Sequence, residues 1–104
     1  MHGVQVTYTV KDGRVEENEA LVRAVYDKLR EMAEPGIMYG TFKKDDGRTF
    51  VHLAFFESPE HQQRFGSNPA FHEFQWEIAD RCEVPPNAEP LDRLDSYGFG
   101  APVD

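Results

Sequence analysis

The sequence predicts an α+β domain, a ferredoxin-like βαββαβ sandwich whose sheet is covered by helices on one face and by a second copy on the other. Three observations carry that expectation. The elements run strand, helix, hairpin, helical segment and terminal strand signal, the order of a split βαβ unit. The return strand of the hairpin is apolar on both faces, with Val51, Leu53 and Phe55 on one and Phe50, Ala54 and Phe56 on the other. Antiparallel strands usually show one wet face, so both sides of this one need a cover. Helices of such a sandwich supply a single cover, and the sheet of a symmetric partner is the simplest second one. The bare face is expected to be that of Phe50, Ala54 and Phe56.

Each element has its own signal. Val4, Val6, Tyr8 and Val10 alternate with Gln5, Thr7 and Thr9, a period-2 strand that Lys11-Asp12-Gly13 ends. Glu16, Glu17 and Glu19 crowd the start of the next segment, where the positive end of a helix dipole favours them. Leu21, Val22, Val25, Leu29 and Met32 form its apolar stripe, and Pro35-Gly36 stops it. Ile37 to Lys44 reads as the second strand and Thr49 to Glu57 as the third, joined through Asp45-Asp46-Gly47. Two registers are open. A two-residue turn at Asp46-Gly47 sets Thr41 opposite His52 and Tyr39 opposite Ala54. A bulge at Gly47 sets Gly40 opposite His52 and Tyr39 opposite Leu53. The first is favoured, because it gathers Met38, Phe42, Val51, Leu53 and Phe55 on one oily face.

Ser58-Pro59-Glu60 opens a short helix, with Ser58 as N-cap and Pro59 at the first helical position. Gly66-Ser67-Asn68-Pro69 interrupts it, and a longer helix carrying Phe71, Phe74, Ile78 and Cys82 on one stripe follows. Residues 83–104 read as a Pro-rich connector, through Val84 to Pro90, and a last strand around Leu94 to Phe99. The whole chain, 1–104, is expected to be a single domain.

Composition excludes several function classes. A net charge of −8 with scattered Lys and Arg argues against nucleic acid or an anionic membrane as partner. Cys82 is the one cysteine, which rules out an internal disulfide and fits a reducing cytoplasm. The first twelve residues have no apolar h-region, and no run reaches membrane-spanning length. No histidine spacing suggests a metal site, and there is neither a glycine-rich phosphate loop nor a nucleophile elbow.

The blocks Glu57-Ser58-Pro59-Glu60, Phe65, Pro69-Ala70-Phe71 and Phe74 resemble the antibiotic-biosynthesis-monooxygenase superfamily of dimeric α+β barrels. The likeness runs from Val4 to about Cys82. The flanking blocks, Val15 to Glu19 and Arg81-Cys82-Glu83 with Pro85-Pro86, resemble a subgroup of small bacterial proteins without an assigned reaction. The resemblance implies a homodimer with a ligand cleft between sheet and helices of each subunit, and oxygenase chemistry among its members. Haem-degrading members have Asn, Trp and an iron-binding His where this chain has Tyr8, Phe65 and Gln75. Gln75 has no ring nitrogen for iron, so no haem and no other cofactor is expected.

His52 is the candidate catalytic residue. A histidine mid-strand beside Tyr39 can take a phenolic proton; it can equally be a buried, hydrogen-bonded imidazole within the barrel. Tyr8 and Tyr39, with Phe55, Phe65, Phe71, Phe74 and Gln75, are the candidate lining of a pocket for an aromatic or polyketide-type molecule, and the same aromatics can be ordinary core. Two functions stay open: a cofactor-independent monooxygenase-like enzyme, and a non-catalytic ligand-binding or assembly dimer. Cys82, on the apolar stripe, reads as an inert thiol.

Overall fold

Tyr8, on a strand that spans His2–Val10 (β1), lies at the centre of an antiparallel sheet described here from a computed structural model of residues 2–98. The other strands are Ile37–Lys43 (β2), Thr49–Phe56 (β3) and Cys82–Asp92 (β4), in the spatial order β2-β3-β1-β4. Four helices complete the described chain: Val15–Met32 (α1), Pro59–Gly66 (α2), Pro69–Gln75 (α3) and Ile78–Arg81 (α4). This is the split βαβ arrangement, an α+β ferredoxin-like sandwich, as the element order implies.

The favoured register holds: Tyr39 pairs with Ala54 and Thr41 with His52. The connection is longer than a two-residue turn. Lys44 N–H donates to the Thr49 carbonyl and Gly47 N–H to the Lys44 carbonyl, so Asp45 to Arg48 form the loop. Gly47 adopts φ +74°, a conformation glycine takes without a Cβ clash. The Asp46 carboxylate accepts from the Thr49 hydroxyl and from the backbone N–H groups of Arg48 and Thr49, which hold its pKa down to about 2.

The covered face is the reverse of expectation. Phe50, His52, Ala54 and Phe56 lie under the helices, whereas Val51, Leu53 and Phe55 share the open face with Met38 and Phe42. The pairing of β1 is the cause. Val4, Val6 and Tyr8 stand opposite Ala54, His52 and Phe50, so the apolar side of β1 continues that face, while Gln5 and Thr7 continue the other. Helices cover the side on which both central strands are apolar. Val22 and Val25 of α1, Phe65 of α2 and Phe74 of α3 complete the core there.

Two further corrections concern the C-terminal third. The helix expected to run from Pro69 to Cys82 is broken: α3 stops at Gln75, Glu77 takes φ +60°, and α4 is a single turn. The Arg81 side chain fills the break, donating to the Phe74 carbonyl at 2.7 Å and the Trp76 carbonyl at 3.1 Å. These are the carbonyls a broken helix leaves without partners. The last strand is β4, built from the presumed connector itself, and not a strand around Leu94; Leu94 lies outside regular structure and fully exposed, and Phe99 is outside the described residues. Three prolines are tolerated because β4 pairs on one side only, with β1, and because its register shifts near Pro85-Pro86, between Thr7 and Val10 of the partner strand.

Candidate functional site

A cavity of about 530 Å³ opens between the helix-covered face of the sheet and the helices α2, α3 and α4. Val4, Val6, Ala54 and Phe56 form its floor, and Phe65, Phe71, Phe74 and Ile78 its roof. Gln62 and Gln75, both exposed, stand at its mouth, and Pro86 closes one side. The aromatic rings pack tilted against one another, with Phe65 and Phe71 at 4.8 Å and Phe65 and Phe56 at 5.6 Å between centroids. The local reason for the hollow is the Gly66-Ser67-Asn68-Pro69 interruption, which turns the chain between α2 and α3. Asn68, fully buried, caps α3 by accepting from Ala70 and Phe71 N–H and reaches the Val25 carbonyl with its amide.

One polar stripe crosses this apolar chamber. His52 lies on β3, 4% exposed, with Tyr8 Oη 2.7 Å from its Nε2 and Tyr39 Oη 2.7 Å from its Nδ1. Thr41 Oγ1 is 3.0 Å from Nδ1 and 2.8 Å from Tyr26 Oη. On the other side, Asn18 Nδ2 donates to Tyr8 Oη at 2.9 Å, and Arg81 Nε donates to Asn18 Oδ1 at 3.3 Å. Arg81 is 1% exposed and takes part in no ion pair among the described residues. Its charge is met by Asn18, by two carbonyls and by the Phe74 ring, whose centroid lies 5.3 Å from the guanidinium carbon.

Burial sets the protonation states. Desolvation pushes His52 down to about 4, so the imidazole is neutral at pH 7. Desolvation pushes the hydroxyls of Tyr8 and Tyr39 up beyond the ordinary phenol range, the first only partly offset by the Asn18 hydrogen bond. Burial also raises the Cys82 thiol. The arrangement offers neutral donors and acceptors to a ligand oxygen inside an apolar, ring-lined space.

Of the residues singled out from sequence, Tyr8, Tyr39, His52, Phe65, Phe71, Phe74 and Gln75 all line this cavity. Phe55 does not. It points to the open face, where it borders a shallow hollow of about 280 Å³ with Met38, Phe42 and Leu53, because odd-numbered residues of β3 face away from the helices. His52 is enclosed between the sheet and its own helices, not on the face left open for another copy. Asn18 and Arg81 were missed. Asn18 falls one turn before Val22 and two before Val25 on the buried stripe of α1, and a polar residue in that position was a readable signal. Arg81 has no comparable signature.

The residues present do not fit an axially ligated haem. His52 is the imidazole of this cavity, and both of its nitrogens are engaged by hydroxyls; the Gln75 amide has no basic ring nitrogen to offer. Among the described residues, no three His, Cys, Asp or Glu side chains converge as metal ligands. No helix among them is long and apolar enough to cross a membrane.

A family model for antibiotic biosynthesis monooxygenases matches residues 1–76. Solved structures of similar fold include a provisionally named antibiotic biosynthesis monooxygenase from Nitrosomonas europaea, 18% identical, with a TM-score of 0.78 over 91% of this chain and 100% of that one. A similarly named protein from Caulobacter crescentus is 20% identical, with a TM-score of 0.76 over 90% of each chain. A second Nitrosomonas europaea protein, of unknown function, is 17% identical, with a TM-score of 0.75 over 99% of this chain and 95% of that one. At these identities the likeness establishes fold. No curated protein matches the chain.

Proposed function

The chain belongs to the antibiotic biosynthesis monooxygenase family, and from that premise we propose that it is a homodimeric small-molecule-binding protein acting on an aromatic or polyketide-type substrate as a cofactor-independent monooxygenase. The observation that carries this reading is the ring-lined cavity with a single polar stripe, Tyr8–His52–Tyr39, crossing its floor. Apolar walls with a few convergent polar groups are what a planar ligand needs for burial and orientation. A methylene flanked by aromatic rings that becomes a ketone gives up four electrons and two hydrogens. Dioxygen then supplies one atom to the product and one to water, and no external reductant enters the balance. In this role Tyr8 lies between a substrate hydroxyl and His52 Nε2, a short proton path at hydrogen-bond distance.

One observation favours a second reading, a non-catalytic ligand-binding dimer. His52 has both nitrogens satisfied internally and a pKa near 4, which makes it a weak base at neutral pH. The deciding experiment titrates the protein, free of added metal or flavin, with hydroxylated aromatics of two to four rings while an electrode follows dioxygen. Binding with dioxygen uptake is expected. Binding alone favours the second reading, and no binding by any member of the panel overturns both. The buried lone thiol accords with a reducing cytoplasm as the site of action.

A further inference from the structure

The buried hydrogen bonds from Arg81 to Tyr39 have a direction, and it can be followed donor by donor. A guanidinium donates only, so the Asn18 atom facing Arg81 Nε is its carbonyl oxygen. The Asn18 amide nitrogen then faces Tyr8 Oη and donates to it. Tyr8 has one proton, and with its oxygen accepting from Asn18 that proton is given to His52 Nε2, 2.7 Å away. A neutral imidazole that accepts at Nε2 carries its hydrogen on Nδ1. The nearest acceptor for that hydrogen is Tyr39 Oη at 2.7 Å, since Thr41 Oγ1, at 3.0 Å, is also engaged by Tyr26. Tyr39 receives a hydrogen bond from the imidazole, so its own hydroxyl proton turns elsewhere; Thr41 Oγ1 and a ligand oxygen in the cavity that Tyr39 lines are the acceptors open to it.

We infer that Arg81, acting through Asn18 and Tyr8, fixes His52 as the Nδ1–H tautomer and thereby makes Tyr39 a hydrogen-bond donor to the ligand, so that the cavity takes a molecule with a carbonyl or phenolate oxygen at that point. The second half rests on the reading of the cavity as a ligand site; the first half does not. Arg81 and Asn18 are positioning residues, since neither borders the cavity. The tyrosines divide the work: Tyr8 has spent its proton and offers a lone pair, whereas Tyr39 offers a proton. This asymmetry would be lost without a cation at the buried end of the chain, because an amide alone fits either way round.

The tautomer is read directly by long-range proton–nitrogen correlation on protein labelled with nitrogen-15 in histidine, with His52 identified by its loss in His52→Gln. A pyrrole-type Nδ1 and a pyridine-type Nε2 are expected. Asn18→Asp should reverse the pattern: the carboxylate pairs with Arg81, accepts the Tyr8 proton, and Tyr8 then accepts from Nε2–H. Should that variant not fold, Tyr8→Phe keeps the ring, removes the donor to Nε2, and should shift His52 toward Nε2–H. A wild-type Nε2–H pattern, or a pattern unmoved by a folded variant, overturns the inference. For the ligand, 1-tetralone and its oxygen-free analogue tetralin are titrated into wild type and Tyr39→Phe. Tetralone is expected to bind roughly fivefold more tightly than tetralin in wild type and equally in Tyr39→Phe. An advantage that survives Tyr39→Phe overturns the donor role, and failure of both probes to bind overturns the ligand-site reading while leaving the tautomer result standing.

Discussion

Tyr8 and His52, separated by 44 positions in sequence, are diagonal neighbours across the seam between β1 and β3, and hydroxyl and imidazole meet at 2.7 Å. Tyr8 stands opposite Phe50 and His52 opposite Val6, so each ring leans along the strand to reach the other. The rings stack with centroids 5.3 Å apart and planes 19° apart. The contact ties the two central strands together by side chains as well as by backbone, and it bears on several measurable properties.

Replacing His52 tests the contact first. Glutamine cannot place one atom against Tyr8 and another against Tyr39 in the positions of the two ring nitrogens, so at least one buried hydroxyl loses its partner. His52→Gln should cost about 1–3 kcal/mol. Melting at fixed protein concentration checks this, and an unchanged melting temperature would count against the pairing.

Acid should destabilise the fold through the same residue. The pKa of His52 is depressed from 6.5 to about 4 on folding, so the unfolded chain binds the proton more tightly. The corresponding stability is fully present above about pH 6.5 and is lost as pH falls through 4, by up to about 3 kcal/mol. Urea titrations of wild type and His52→Gln across this window should show a shallower pH dependence in the variant. Parallel curves would mean the imidazole is already protonated in the native state.

Phe74 packs against His52 at 5.5 Å, Tyr8 at 6.1 Å and Phe71 at 6.3 Å between centroids, and its ring also faces Arg81. Phe74→Ala should cost about 3 kcal/mol, the low end for a buried phenylalanine, since one side of its ring already borders open space. A loss under about 1 kcal/mol would show that the helix roof contributes little to stability. The variant should also take bulkier ligands.

The open face makes a prediction about assembly. Met38, Phe42, Val51, Leu53 and Phe55 leave an oily strip beside the polar Gln5 and Thr7 of β1. Light scattering after size exclusion at micromolar concentration should give about twice 11.9 kDa. Leu53→Glu, away from the helix-covered core, should give the single-chain mass with an unaltered far-ultraviolet spectrum. A wild-type chain of single mass would refute the dimer.

Asn68 supplies a more local test. Its side chain caps α3 and reaches across to α1, so Asn68→Ala should cost about 1–2 kcal/mol and loosen the roof of the cavity. Amide exchange of Ala70 and Phe71 should accelerate in the variant; unchanged protection would assign the cap to backbone alone.

Element order was legible because it rests on local signals: period-2 alternation in β1, the apolar stripe of α1, and Asp46-Gly47 between two strands. The hairpin register was legible from the side chains it gathers, Met38, Phe42, Val51, Leu53 and Phe55 on one face. The direction of the faces was not read correctly, because β3 is apolar on both sides and carries no sign of its own. The missing sign lay in β1, where Val4, Val6 and Tyr8 oppose Gln5 and Thr7, and it becomes usable only once β1 is paired with β3. Seven of the eight residues singled out converge on one cavity, since aromatic spacing on strand and helix survives such an inversion except at Phe55. Arg81 was hidden for a different reason. Its part depends on a helix break at Glu77, whose left-handed backbone no local motif announces.

The three prolines of β4 bear on what happens to many molecules together. Pro85, Pro86 and Pro90 remove three backbone donors from the strand that ends one side of the sheet, and the register shift twists that rim further. A passing unfolded chain finds no continuous row of N–H groups on which to lay a new strand. Growth of the sheet sideways into fibrils is therefore disfavoured at the β4 rim, one of the two edges of the sheet.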